Sequence, residues 1–392
     1  MAKRPLVLDI NPALLVWART SLGKSPAEVA SQLHVNEKKL QDWEMGDEKI
    51  NLTEMEKVAR IYKRPLAAFF LPGPPTEPPI PADFRTLPED RRKPLSSKTR
   101  MALRRARRLQ SLYMELIERD INGTSLTVPK VNLSERPNPE IVAEQTRELL
   151  GISFERQQEW RNETVALSEW RNAIEKQGIL VFQMSMPIEE NRGFSLTDGG
   201  PSVIVLNLRD TINGRIFSLL HELGHIILRK GGLCDMESRE EILGEDAAIE
   251  MFCNHFAGAA TVPEKMLLEM DIIKSRLGRT QYSERELGDI AGAFCVSKEV
   301  ILRRLVILGK ATSEQYRAKH EEWATKERRP QRGGKMDPSK KCIQDKGVTF
   351  VSKVINSHRE GKITYNDMAD FLGIRLKHMP KVERMIKGKS AT

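Results

Sequence analysis

Apolar positions recur at helical spacing through most of this chain. Leu14, Leu15, Ala18 and Leu22 follow Asn11-Pro12 and stop at Gly23, which predicts a helix opened by proline and closed by glycine. Ser25 with Glu28 three residues on reads as a capping box for a second helix through Val29, Ala30 and Leu33. A third helix starts at Asn36 and carries Leu40 and Trp43 before Gly46. Two short helices joined by a tight turn predict a helix-turn-helix within residues 10–71. Leu109, Leu112, Leu116 and Ile117, and then Leu149, Leu150, Trp160 and Trp170, mark further amphipathic helices. Between 178 and 208 the period changes: the runs 178–186, 194–196 and 203–208 are β-rich and broken by glycine turns, predicting a small antiparallel sheet. Helices resume at about 214–229 and 244–260. Residues 283–305 repeat the cadence of the first unit, a helix, a Val-Ser turn and a helix. A last pair, 348–357 and 365–386, with Thr364 and Asp367 as a cap signal, reads as another small helix-turn-helix or a winged-helix-like cap. The expected fold class is mainly α with a small antiparallel β-sheet (α+β).

Residues 72–81 hold six prolines in ten and cannot continue a helix, so they form a stiff spacer. The basic run from Arg91 to Arg108 follows, and it suits either a solvated helix face or added phosphate contacts. Residues 324–346 are rich in Lys, Arg and Gly with few apolar positions, the mark of a mobile linker. The expected organisation is a helix-turn-helix domain (1–71), a Pro-rich and basic linker (72–98), a larger domain (99–323), a basic linker (324–346) and a small C-terminal helical domain (347–392).

Charge and cysteine content narrow the class. A net charge of +9 over 392 residues permits a nucleic-acid partner without requiring one. Four widely spaced cysteines with no Cys-x-x-Cys pairing suggest neither a disulfide framework nor a zinc ribbon, and they read as reduced cytosolic thiols. Without a signal-like N-terminus or an apolar run of membrane-spanning length, the expectation is a cytoplasmic protein with no membrane partner.

The candidate chemistry lies in the run from Phe217 to Leu228. His221 and His225, four apart, share one helix face about a turn from each other, which is metal-ligand spacing suited to Zn2+. Glu222 can reach a water at an open metal position and take its proton. The flanking Ile216, Phe217, Leu219, Leu220, Leu223, Ile226, Ile227 and Leu228 predict burial nearly all round, where each polar group needs a partner. The second helix, 244–260, presents Ala247, Glu250, Asn254 and Ala257 on one face. Glu250 can add a carboxylate, and Asn254, one turn on, can hold a ligand histidine through its far ring nitrogen.

His221-Glu-Leu-Gly-His225, together with Glu250-x-x-Cys253-Asn254-x-Phe256-Ala257 closing at Val262-Pro263, resembles the ImmA/IrrE family of metallopeptidases. Cys253 stands where that family usually has Ala, a small change of buried type. The resemblance covers roughly residues 175–310. It implies zinc ligands His221, His225 and Glu250, a catalytic Glu222, and a substrate that is a helix-turn-helix repressor of mobile-element or stress genes. Residues 10–71, with Ala18-Arg19, Gly23-x-Ser25, Leu33-x-Val35 and Trp43-Glu44-x-Gly46, resemble the XRE (Cro/cI-type) family, which implies DNA binding.

On those matched positions, Asn36 and Gln41 are placed to read base edges, and Lys38 and Lys39 to hold phosphates. Opposing this, residues 1–75 carry 11 basic and 9 acidic side chains, a weak footprint for a phosphate binder. The same fold serves equally as a protein-binding or dimerising surface, so a homodimer is allowed for. Two functional classes remain: a zinc endopeptidase fused to a DNA-binding domain, and a transcriptional regulator or antitoxin-like protein whose peptidase-like domain acts as a sensor. An edge strand beside the cleft is expected to hold an extended peptide. Asn207 and Arg215 are candidates for substrate contacts or for turn and ion-pair roles, His255 and Tyr282 are unplaced candidates for oxyanion stabilisation, and Cys234 suits either a silencing metal ligand or a plain loop thiol.

Overall fold

The computed structural model describes residues 6–77, 82–83, 94–118, 131–229, 232–234, 245–275, 278, 280–326 and 336–390. The chain divides into two units, Met1–Ile80 with Lys93–Arg104, and Pro81–Arg92 with Arg105–Thr392.

The first unit holds α1 (Ala13–Thr20), α2 (Pro26–Leu33), α3 (Glu37–Met45) and α4 (Leu52–Tyr62), followed by a 3-10 turn at Leu66–Phe70. The capping box at α2 is formed: the Ser25 hydroxyl accepts from the Glu28 amide, and the Glu28 carboxylate accepts from the Ser25 amide. α2 ends at His34 in the left-handed region, and the Val35 amide folds back onto the Ala30 carbonyl at 3.0 Å. Leu14, Leu15, Val29, Leu40, Trp43, Val58, Tyr62 and Phe69 fill the core. A partly buried bidentate pair, Arg19 to Glu44 at 2.7 and 2.9 Å, ties α1 to the end of α3.

Strand β1 (Ala82–Asp83) belongs to the second unit, and helix α5 (Ser97–Glu118) has residues 97–104 in the first unit and 105–118 in the second. The second unit contains α6 (Pro139–Leu150), α7 (Phe154–Gln158), α8 (Glu163–Lys176), strands β2 (Leu180–Met184), β3 (Gly193–Leu196) and β4 (Val203–Asn207), α9 (Ile212–Ile227), β5 (Gly232–Cys234) and α10 (Glu245–Thr261). Short helices α11 (Glu264–Glu269) and α12 (Asp271–Lys274) lead to α13 (Glu284–Phe294), α14 (Lys298–Ile307) and α15 (Ser313–Lys326). The mainly helical α+β class is as expected, but the sheet is mixed rather than antiparallel. Its order is β1-β5-β3-β4-β2, with β2 parallel to β4 and β3 antiparallel to both β4 and β5. Every residue of β2 and β4 is buried, so these strands are covered on both faces and read as unbroken apolar runs.

The C-terminal helices α16 (Pro338–Lys346), α17 (Val348–Arg359), α18 (Tyr365–Leu372) and α19 (Met379–Ser390) belong to the second unit. Helix α16 occupies the later part of the stretch expected to be a linker, and it packs on β2. Buried Arg171 holds it there by donating to Glu175 at 2.8 Å, to the Gln344 carbonyl at 2.5 Å and to the Val181 carbonyl. The other Glu175 oxygen accepts from the Thr349 amide at 3.0 Å. Among the described residues, no helix is long and apolar enough to cross a membrane.

Candidate metal centre

Thr211 caps α9 by accepting from the Gly214 amide, and from there the helix runs inward between α8, the sheet and α10. From Ile216 to Ile227 every residue is buried, as the all-round apolar pattern requires. Such a helix can carry polar side chains only where they meet partners. Here these are supplied by α10, which approaches closely because two small residues face each other. A Cβ built on Gly224 would lie 3.1 Å from Cys253 Sγ and 3.3 Å from Cys253 Cα. Glycine in mid-helix therefore has a packing reason, and it lets α10 bring Glu250 and Asn254 to the histidine face.

His221, His225 and Glu250 form a buried cluster whose ligand atoms lie within 4.8 Å of one another and could hold a metal ion. The two Nε2 atoms are 3.1 Å apart, and the Glu250 carboxylate sits 3.4 Å from His221 Nε2 and 3.2 Å from His225 Nε2. Asn254 Oδ1 lies 3.1 Å from His221 Nδ1. An amide oxygen only accepts, so Nδ1 carries the ring proton and Nε2 keeps its lone pair for the centre. Burial pushes the His221 pKa down to about 4, against the pull of Glu250, so the ring is neutral at pH 7. Two imidazoles and one carboxylate converging in a buried site are a donor set that fits Zn2+.

Glu222 is almost fully buried, and its side chain lies against β3. A Cβ on Gly193 would come within 3.4 Å of both Glu222 Cγ and Oε1. Glycine at the start of β3 thus leaves the space that the carboxylate uses. Burial pushes the Cys253 thiol pKa up, so it stays a neutral packing group beside His225.

Other expected residues have different places. β4, which leads into α9, is flanked by β2 and β3 and is not an edge, and β3 is covered by β5 at Gly193 and Phe194. Asn207 is a buried staple: its Nδ2 donates to the Met186 and Asn191 carbonyls, and its Oδ1 accepts from the Met186 and Arg209 amides. Arg215 donates to Gln183 Oε1 at 2.5 Å, which holds β2 rather than a substrate. His255 bonds Glu140 at 2.6 Å on the α6 side, and Glu140 also receives Arg304 at 2.6 and 3.0 Å. Tyr282 is buried, with its backbone held by Gln315. Cys234 pairs with Gly193 in the β5–β3 ladder, and its side chain lies outside the described residues.

On α3 the four expected DNA contacts are partly engaged within the chain. Asn36 caps the helix through the Lys38 amide, Lys39 pairs with Glu54 at 2.7 Å, and Gln41 meets Glu37 at 3.3 Å. Lys38 is exposed.

Two features escaped the sequence reading, the close approaches at Gly193 and Gly224. A glycine inside an otherwise strong helical pattern was the available signal for the second. Compared with known proteins, residues 174–306 match the family model described as an IrrE N-terminal-like domain, Peptidase_M78. No curated protein matches the chain.

Proposed function

We propose that this chain is a zinc-dependent endopeptidase, with His221, His225 and Glu250 as ligands and Glu222 as general base. The observation that carries the reading is the convergence of three buried ligand atoms from α9 and α10, with the buried Glu222 next to His221 in the chain, within a stretch that matches a peptidase family. A bound Zn2+ supplies Lewis acidity to the scissile carbonyl and lowers the pKa of a water beside it to about 7. Glu222 takes the water's proton as the new C–O bond forms and then returns it to the amine nitrogen as the peptide C–N bond breaks. Asn254 fixes the His221 tautomer, and the apolar shell of α9 excludes bulk water.

The substrate is a cytosolic helix-turn-helix repressor, cleaved to release mobile-element or stress genes. The left-handed turn between α2 and α3 and the N-cap at Asn36 support an XRE-type module that brings the peptidase to DNA or to a like domain of its substrate. Incubating zinc-loaded protein with a repressor encoded beside it tests the reading. Wild type is expected to produce discrete fragments, and Glu222→Gln none. Intact repressor with both proteins across such candidates contradicts it.

A further inference from the structure

The turn that ends α2 recurs in the described chain. α2 ends at His34 (φ 57°), α4 at Lys63 (φ 52°), α13 at Cys295 (φ 51°) and α18 at Gly373 (φ 60°). In each, the residue after the turn donates to the carbonyl of an alanine five positions back: Val35 to Ala30 at 3.0 Å, Arg64 to Ala59 at 3.1 Å, Val296 to Ala291 at 3.1 Å and Ile374 to Ala369 at 3.1 Å. Each of these helices opens with a formed capping box, Ser25 with Glu28, Asn51 with Glu54, Ser283 with Glu286 and Thr364 with Asp367. Six positions past each turn stands a fully buried anchor, Leu40, Phe69, Ile301 or Met379. After α4 the chain makes only the 3-10 turn at Leu66–Phe70, whereas α2, α13 and α18 are each followed by a second helix, α19 being entered through a 3-10 turn at Leu376–His378. The last pair, α18–α19, thus has the helix, turn and helix order in its backbone as well as in its sequence cadence.

Charge separates the α18–α19 pair from the α2–α3 pair. Residues 36–46, the second helix of the first copy with its caps, carry two cations and three anions. Residues 375–389 carry six cations, Arg375, Lys377, Lys381, Arg384, Lys387 and Lys389, against Glu383 alone. Met379, Val382 and Ile386 face inward, leaving Arg375, Lys377, Lys381, Arg384 and Lys387 exposed. Lys381 also pairs with Asp337 at 2.9 Å, so it is partly neutralised. The rest stand on and just ahead of the helix that this motif presents to a major groove, where phosphates line both walls.

We propose that α18–α19 is a binding site for duplex DNA and that its second helix, rather than α3, supplies the main phosphate contacts. This site does not depend on the metal-centre reading, and either can fail without the other.

The test measures binding of the full chain to a short mixed-sequence DNA duplex across a salt series. Three proteins are compared: wild type, Arg375→Ala/Lys377→Ala/Lys387→Ala, and the charge-keeping Arg375→Lys/Lys377→Arg/Lys387→Arg. The alanine protein is expected to bind about tenfold or more weakly, with the slope of log K against log salt smaller by about 3, one for each cation removed. The charge-keeping protein should match wild type, which separates lost contacts from lost folding. Lys38→Ala should change binding less than the alanine triple does. Three outcomes overturn the proposal: wild type that does not bind duplex at low salt, an alanine triple that binds as wild type, or binding to an acidic polypeptide in place of the duplex.

Discussion

Gly224 on α9 meets Cys253 on α10 so closely that a single added carbon would sit 3.1 Å from the sulfur and 3.3 Å from the Cα. The distance between these helices sets where Glu250 stands relative to His221 and His225. Gly224→Ala gains about 1 kcal/mol of helix propensity but forces the helices apart, at a cost of about 1–3 kcal/mol. The expected result is a lowered melting temperature together with weaker metal binding, read by thermal unfolding and by competition with a chelator. Cys253→Ala, which removes an atom from the same contact and leaves the donor set intact, should keep its metal.

Asn254 holds His221 by its far nitrogen. Asn254→Ala frees the ring to rotate and to change tautomer, and should weaken metal affinity about 10–100-fold. Equilibrium metal competition checks this. Unchanged affinity would remove Asn254 from the site.

Gly193 leaves room for the Glu222 side chain. An added methyl at this position also crowds the Val205 carbonyl, at 3.1 Å. Gly193→Ala should therefore reduce peptide cleavage more than it reduces metal content, since the crowded group is the carboxylate and not a ligand. Parallel assays of activity and bound zinc separate the two effects.

Away from the cleft, Glu140 accepts from both His255 and Arg304. Burial raises its pKa, but the hydrogen bonds from His255 and Arg304 and the charge of Arg304 outweigh it and hold the carboxyl at about 2. A pKa depressed in the folded state contributes stability above 4.5, the unfolded value, and that contribution is lost as pH falls toward 2. Acid unfolding should therefore begin within this window. Glu140→Gln strands the buried Arg304 charge, and it is expected to cost about 3–5 kcal/mol in denaturant unfolding and to flatten the acid limb.

The residues explain which parts of this molecule could be read in advance. His221, Glu222 and His225 are legible because helix period fixes their face, and Glu250 and Asn254 because one turn separates them on a second apolar helix. The caps at Ser25 and Thr364 are local chemistry and stand where the sequence predicts them. The parallel pairing of β2 with β4 was not legible, since strands buried on both faces show no alternation that distinguishes pairing direction. Helix α16 was hidden by its lysines, because the contact that holds it comes from Arg171, far away in sequence. The engagement of Lys39 by Glu54 and the removal of His255 to Glu140 likewise depend on long-range partners that no local pattern reports.

The most direct test of the metal-centre account is the zinc stoichiometry of purified full-length protein, measured for wild type, His225→Ala and Glu222→Gln. About one ion per chain is expected in wild type and in Glu222→Gln, and close to none in His225→Ala. Zinc retained by His225→Ala at the wild-type level, or no zinc held by wild type after loading, would contradict a centre built from His221, His225 and Glu250.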